Sequence, residues 1–153
     1  MHSSLWRTLY GQKAKKGQQA EAFAVKYLQS HGLELISQNF SCKCGEIDII
    51  MHDAEFLVFI EVRYRKQIQY GHPLETIDYR KQQKIINTVQ YYLLKYPDLG
   101  HYPCRIDAIA IYADNKVNSS GNQIEWIKDA IQLMLTFVTC GSSCFLYLRL
   151  NNL

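Results

Sequence analysis

The sequence has no CxxC pair, no phosphate-binding glycine loop, no catalytic-triad signature and no haem-attachment motif, and each absence removes a class of protein. Residues 1 to 16 lack the apolar segment of a secretory leader, and the five cysteines are odd in number, so a disulfide scaffold is not expected and a reducing cytoplasmic setting fits. Cys42 and Cys44 with Cys140 and Cys144 are four thiols, but the CxC and CxxxC spacings are unlike zinc knuckles. Histidines are scattered, and His52, His72 and His101 read as loop residues rather than ligands. There is no internal repeat, no low-complexity run and no strong excess of one charge: the net charge is +3.

What is present is an ordinary globular composition, 48% hydrophobic and 20% charged over 153 residues, enough for one domain with a real core. Basic residues gather early (Arg7, Lys13, Lys15, Lys16, Lys26) and again at Arg63, Arg65, Lys66, Arg80, Lys81 and Lys84, flanking an acidic centre. Runs of this kind also occur as solvated faces.

After a basic lead-in over 1–16, the spacing of Ala20, Phe23, Ala24, Tyr27 and Leu28 predicts an amphipathic helix over 17–31, ended by Gly32. Strands are expected at 33–40, 46–51 and 56–65, the last two joined as a hairpin through 52–55. A loop over 66–75 precedes a helix capped by Thr76 or Asp78 and running to about Tyr96, with Ile77, Ile85, Val89, Tyr92, Leu93 and Tyr96 as its buried stripe. Strands at 104–112 and about 123–127 complete the order α-β-β-β-α-β-β, an α/β fold with a mixed central sheet flanked by helices. The domain is expected to occupy 1–130. The apolar tail 131–153 is interrupted by Thr136, Thr139, Gly141 and Arg149, which favours a hairpin or interface element over a membrane span.

The chemistry concentrates on the predicted hairpin. Alternation puts Glu46, Asp48 and Ile50 on one face and Glu61 with Arg63 on one face of the partner strand. With a turn centred between Asp53 and Ala54, Asp48 falls opposite Phe59 and diagonal to Glu61, roughly 7–8 Å apart or less at Cβ. Two inward carboxylates are costly unless compensated, either by Mg²⁺ with the Val62 carbonyl as a further ligand or by ion pairing with Arg63, Arg65 or Arg105.

The motifs GQQAEAFAVKYLQSHGL, CGEIDIIM, FIEVRYRK followed by YG, RKQQKI, CRIDAIAI and IEWIKDA, in this order over about residues 11–130, resemble the YraN family of predicted endonucleases. That family lies within the restriction-endonuclease-like superfamily, which includes archaeal Holliday-junction resolvases. The resemblance implies a restriction-endonuclease-like fold, with Asp48 as the metal-binding aspartate and Glu61 as the glutamate of the ExK signature. It also matches Glu21 to a first-helix glutamate and Lys81 to a basic position on the second helix. Position 63 departs from many superfamily members in being arginine, which stays charged and cannot act as a general base.

The function so implied is metal-dependent phosphodiester hydrolysis, structure-selective rather than sequence-specific, on DNA that is branched or carries a junction. Asp48, Glu61 and Val62 are expected to hold Mg²⁺ or Mn²⁺, Glu21 to hold a second ion or a water, and Arg63 and Lys81 to counter developing charge. Arg65, Lys66 and Tyr70 are expected to grip the flanking backbone. By analogy with two-fold substrates a homodimer is possible. The alternative is a non-catalytic nucleic-acid-binding protein that keeps the fold.

Overall fold

A long helix, α1 (Ser3–Ser30), opens the chain and starts well before the expected boundary at residue 17. Apolar periodicity detects a buried face, whereas the Lys, Ala and Gln residues of the lead-in favour helix without having to bury one. In this computed structural model the backbone is described at residues 3–65, 78–112, 123–133, 135–140 and 143–148, and the side chains at 17–64, 78–112 and 123–133. The helix ends where Gly32 takes φ 92°, with the Gly32 N–H donating to the Gln29 carbonyl and the Leu33 N–H to that of Leu28. Its buried stripe is Ala20, Ala24, Val25 and Leu28, while Phe23 lies at the exposed margin.

Five strands follow: β1 (Glu34–Cys42), β2 (Gly45–Asp53), β3 (Phe56–Arg65), β4 (Cys104–Tyr112) and β5 (Gln123–Ile131). They form one mixed sheet in chain order, antiparallel throughout except for the parallel β3–β4 pair. Helix α2 (Tyr79–Lys95) makes the crossover that a parallel pair requires. Of the two caps considered, Asp78 is the one used: its carboxylate accepts from the Lys81 N–H at 2.8 Å. Ile85, Val89 and Tyr92 are buried as expected, with Ile86 and Thr88 added, and Tyr96 is 39% exposed. Ile77 lies outside the described residues.

The sheet carries a core on each face. Ile47, Ile50, Leu57, Phe59, Ile106 and Ala108 pack under α2. Ile49, Met51, Val58, Ile60, Ile109 and Ile111 pack under α1. Burial on both faces explains why β3 and β4 read as continuous apolar runs. This is the expected α/β layering, consistent with a restriction-endonuclease-like fold.

Strand β5 runs four residues beyond the expected end. Lys128 and Asp129 look like a stop in the sequence, yet Asp129 at φ 53° forms an irregularity after which Ile131 pairs with Ile106. In the tail, β6 (Leu135–Cys140) and β7 (Ser143–Leu148) pair antiparallel as a separate hairpin, the element the interrupted apolar run predicts. Among the described residues no helix is long and apolar enough to cross a membrane.

Candidate functional site

The register of the β2–β3 hairpin differs from expectation by two positions on β3. Asp53 pairs with Phe56 and Ile49 with Ile60, so the turn is Ala54–Glu55; Phe59 faces Ile50, and Asp48 lies just past the last pair, at the Glu61–Val62 end of β3. Ala54 sits at φ 51°, and no glycine marks the turn in the sequence, which is why its centre was misplaced.

Asp48 also does not share a face with Ile50. Ile47 belongs to the core under α2 and Ile49 to the core under α1, although they are two residues apart, so alternation breaks at position 48. On the other side of the break, β1 pairs Gln38 with Ile49 and Phe40 with Ile47, and Asn39 between them takes φ 53°. Asparagine tolerates this left-handed conformation better than most residues. The consequence is a carboxylate turned toward β3, where Asp48 Oδ2 accepts from the Val62 N–H at 2.7 Å.

Around this point the two helices deliver charged groups. Lys81, in the first turn of α2, places Nζ 3.1 Å from Glu61 Oε1. Arg63 Nε stands 3.4 Å from the same oxygen but makes no hydrogen bond, so the pair is close in charge and poor in direction. Glu61 is only 5% exposed, and its second oxygen, Oε2, is buried without any hydrogen-bond partner. From α1, Glu21 comes near enough to Asp48 and Glu46 for their charges to act on it, and its carboxylate bonds to Asn39.

Electrostatics follow from this crowding. Burial, then the Asp48 charge, pushes Glu61 above the usual carboxylate range against the pull of Lys81 and Arg63. Asp48 is likewise pushed up, by burial first and also by Glu46, despite the Val62 N–H and the nearby cations. Glu21 is raised by burial and by Asp48. Among the described residues the carboxylates of Glu21, Glu46, Asp48 and Glu61 crowd around the two cations Lys81 and Arg63.

The structure therefore brings together Glu21, Asp48, Glu61, Arg63 and Lys81, with Val62 contributing its backbone. Lys66 and Tyr70 lie outside the described residues, as does the side chain of Arg65. Arg105, weighed as a partner for these acids, is engaged elsewhere, by Asp53 at 2.7 Å and Asp107 at 2.8 Å. Asn39 is the participant the sequence reading missed; its one signal was an asparagine inside a strand pattern.

As a metal site the donor set is partial. Among the described residues no three of His, Cys, Asp and Glu converge to ligate an ion. Two adjacent carboxylates with one free buried oxygen nevertheless suit Mg²⁺, which takes oxygen ligands and keeps several waters.

Comparison with known proteins agrees with the motif reading. The pattern of the family described as "Uncharacterised protein family UPF0102" matches residues 20–111. A UPF0102 protein of Pseudomonas putida (strain GB-1) is 40% identical over 118 residues, covering 77% of this chain and 94% of the relative. One from Pseudomonas syringae pv. tomato is 42% identical over 119 residues (77% and 93%), and one from Legionella pneumophila (strain Corby) 42% over 116 (76% and 93%). With a profile match over more than half its length and relatives matched almost end to end, the chain belongs to the UPF0102 (YraN) family.

Proposed function

We propose that this protein is a metal-dependent, structure-selective DNA endonuclease of the cytoplasm that hydrolyses phosphodiester bonds. The observation carrying the proposal is the partnerless buried Oε2 of Glu61 beside a second raised carboxylate, Asp48. A native core has little reason to keep two such acids together unless a cation or a proton completes them.

Asp48 and Glu61 would hold Mg²⁺ or Mn²⁺ together with the Val62 carbonyl. In a strand one residue's N–H and C=O point to the same side, so the Val62 carbonyl shares the side on which its N–H meets Asp48. When bound, the divalent ion supplies an acidified water and neutralises phosphate charge. Lys81, paired with Glu61 Oε1, would then be free to turn toward a phosphate oxygen. Arg63 offers donors to the developing negative charge but cannot accept a proton. Glu21, raised and oriented by Asn39, is placed to hold a water or a proton from the α1 side. Arg65, Lys66 and Tyr70 would grip flanking phosphates without reading bases, which favours junctions or flaps over a fixed sequence, on a homodimer if the substrate is two-fold.

The test is cleavage of junction, flap and duplex DNA with Mg²⁺ or Mn²⁺. Cutting should fall at least about 100-fold in Asp48→Ala and Glu61→Ala; cutting that survives both substitutions sinks the assignment. The ion pairs of Lys81 and Arg63 with Glu61 favour a second reading, a DNA-binding scaffold without catalysis. It expects no heat on Mn²⁺ titration and a DNA affinity that persists and weakens with salt.

A further inference from the structure

Strands β1 and β2 are joined by the two-residue turn Lys43–Cys44, closed by the pairing of Cys42 with Gly45. Gly45 is required there: it sits at φ 157°, and a Cβ on it would lie 3.0 Å from Thr88 Oγ1 and 3.4 Å from Lys84 Cβ. This close approach presses the turn against α2. Beside it opens a cavity of about 430 Å³ lined by Cys42, Lys43, Cys44, Glu46, Lys81 and Lys84 among others. Both thiols are free and half-buried on its wall, so small solutes can reach them.

The two sulfurs are not equivalent. Cys42 Sγ accepts from the Cys44 N–H at 3.3 Å. The Gly45 N–H and the Cys44 thiol address the same sulfur, while the Thr88 hydroxyl lies beside it with its proton given to the Lys84 carbonyl at 2.7 Å. Donors converging on one sulfur, with lysines on the same wall, describe a seat for a thiolate. Burial alone would push Cys42 up, but these donors together outweigh it and hold the thiol below its ordinary value. Cys44 is pushed up by burial and by its neighbour's sulfur, which keeps its proton in place.

We propose that Cys42 and Cys44 form a peroxide-reactive dithiol, with Cys42 as the attacking sulfur and Cys44 as the resolving one. The Cys42 thiolate attacks the terminal oxygen of a hydroperoxide; the S–O bond forms, the O–O bond breaks, and the leaving alkoxide or hydroxide takes a proton from water. The Cys44 thiol then attacks the Cys42 sulfenic acid, forming the S–S bond and expelling water. The dithiol loses two electrons and the peroxide gains them, giving one alcohol or water from the leaving group and one further water. Residues two apart across a turn have Cα atoms near the roughly 4.4–6.8 Å window of a disulfide. The proposal is independent of nuclease activity, since it concerns only the thiols.

The test uses the full chain and hydrogen peroxide at a few equivalents, followed by thiol blocking and tryptic mapping. Lys43 lies between the two cysteines, so trypsin separates residues 27–43 from 44–63. The expected product is these two peptides joined, or an uncut 27–63 peptide lighter by two hydrogens, both reverting on reduction. In Cys44→Ser, dimedone should label Cys42. At pH 7 iodoacetamide should modify Cys42 at least about tenfold faster than Cys104, a half-buried thiol that desolvation pushes up to about 11. Equal rates at Cys42 and Cys104, dimedone on Ser-paired chains at any other cysteine, or a disulfide from Cys42 to a residue other than Cys44 would overturn it.

Discussion

Asp107 and Glu61 stand one step of register apart on neighbouring strands, since Asp107 pairs with Ile60 and Glu61 with Ala108. Both are buried, at 0% and 5% exposure, and both have an arginine nearby, yet their surroundings are opposite in kind. Asp107 Oδ1 accepts from Arg105 Nε at 2.8 Å and from the Asp129 N–H at 2.9 Å, and its Oδ2 accepts from Trp126 Nε1 at 2.9 Å. Arg105 in turn reaches Asp53, whose carboxyl is held below the usual range first by that hydrogen bond. Glu61 has ion pairs on one oxygen and nothing on the other. A completed network secures the β4–β5 bulge, whereas the network at Glu61 leaves one buried carboxylate oxygen without a hydrogen-bond partner.

The sharpest way to break this contrast is to remove each acid from the metal-free protein. Asp107→Ala leaves the Trp126 indole N–H and the Asp129 N–H without their acceptor and Arg105 with Asp53 as its remaining carboxylate, and should cost about 3 kcal/mol or more of unfolding free energy in urea. Glu61→Gln removes a repelled charge and should stay within about 1 kcal/mol of the parent. Equal losses would make both networks structural.

Next in size is the response to a divalent ion. Mn²⁺ at about a hundred times its dissociation constant should raise the stability of the parent by about 2.7 kcal/mol. Asp48→Asn should abolish the increase, and Asp53→Asn should retain it from a lower starting point. An increase that survives Asp48→Asn places the ion elsewhere.

A smaller effect distinguishes the networks by pH. Glu61, Asp48 and Glu21 have folded values above their unfolded ones, so the folded chain holds protons that the unfolded chain has already released. Stability of the metal-free protein should therefore fall as pH rises from about 4 through the raised values, then level off. Asp53 is shifted downward, so its contribution is present above about pH 4 and is lost as pH falls through its folded value. Asp48→Asn should flatten the first limb and Asp53→Asn the second, both read from urea midpoints across pH.

Much of this was legible in the residues. The bounds of β3 and β4 follow from unbroken β-branched and aromatic runs, and Asp78 was one of the two caps the residues offered for α2. The acids at 48 and 61 were identified as neighbours by alternation and by the family motifs. What escaped was backbone geometry without a glycine to announce it: Ala54, Asn39 and Asp129 all take positive φ. These three positions fix the hairpin register, turn Asp48 toward β3 and extend β5. Nor does spacing distinguish a satisfied acid from an unsatisfied one; Asp107, in a motif as conspicuous as that of Glu61, needed the positions of Trp126 and Asp129 to be read as structural.

The smallest expected change comes from Arg63→Lys. Arg63 Nε is 3.4 Å from Glu61 Oε1 without a directed bond, so little geometry is lost when the fork becomes a point charge. If Arg63 serves only to counter charge, cleavage should change by less than about tenfold, equivalent to about 1.4 kcal/mol, and the limbs of the pH–rate profile should stay where they are. A lysine at 63 has an option arginine lacks, since burial can lower its pKa until it accepts a proton. A large gain in rate with a new limb in the profile would mean that the native chain lacks its base, and that the unsatisfied acids of β2 and β3 serve to bind DNA and metal without cutting.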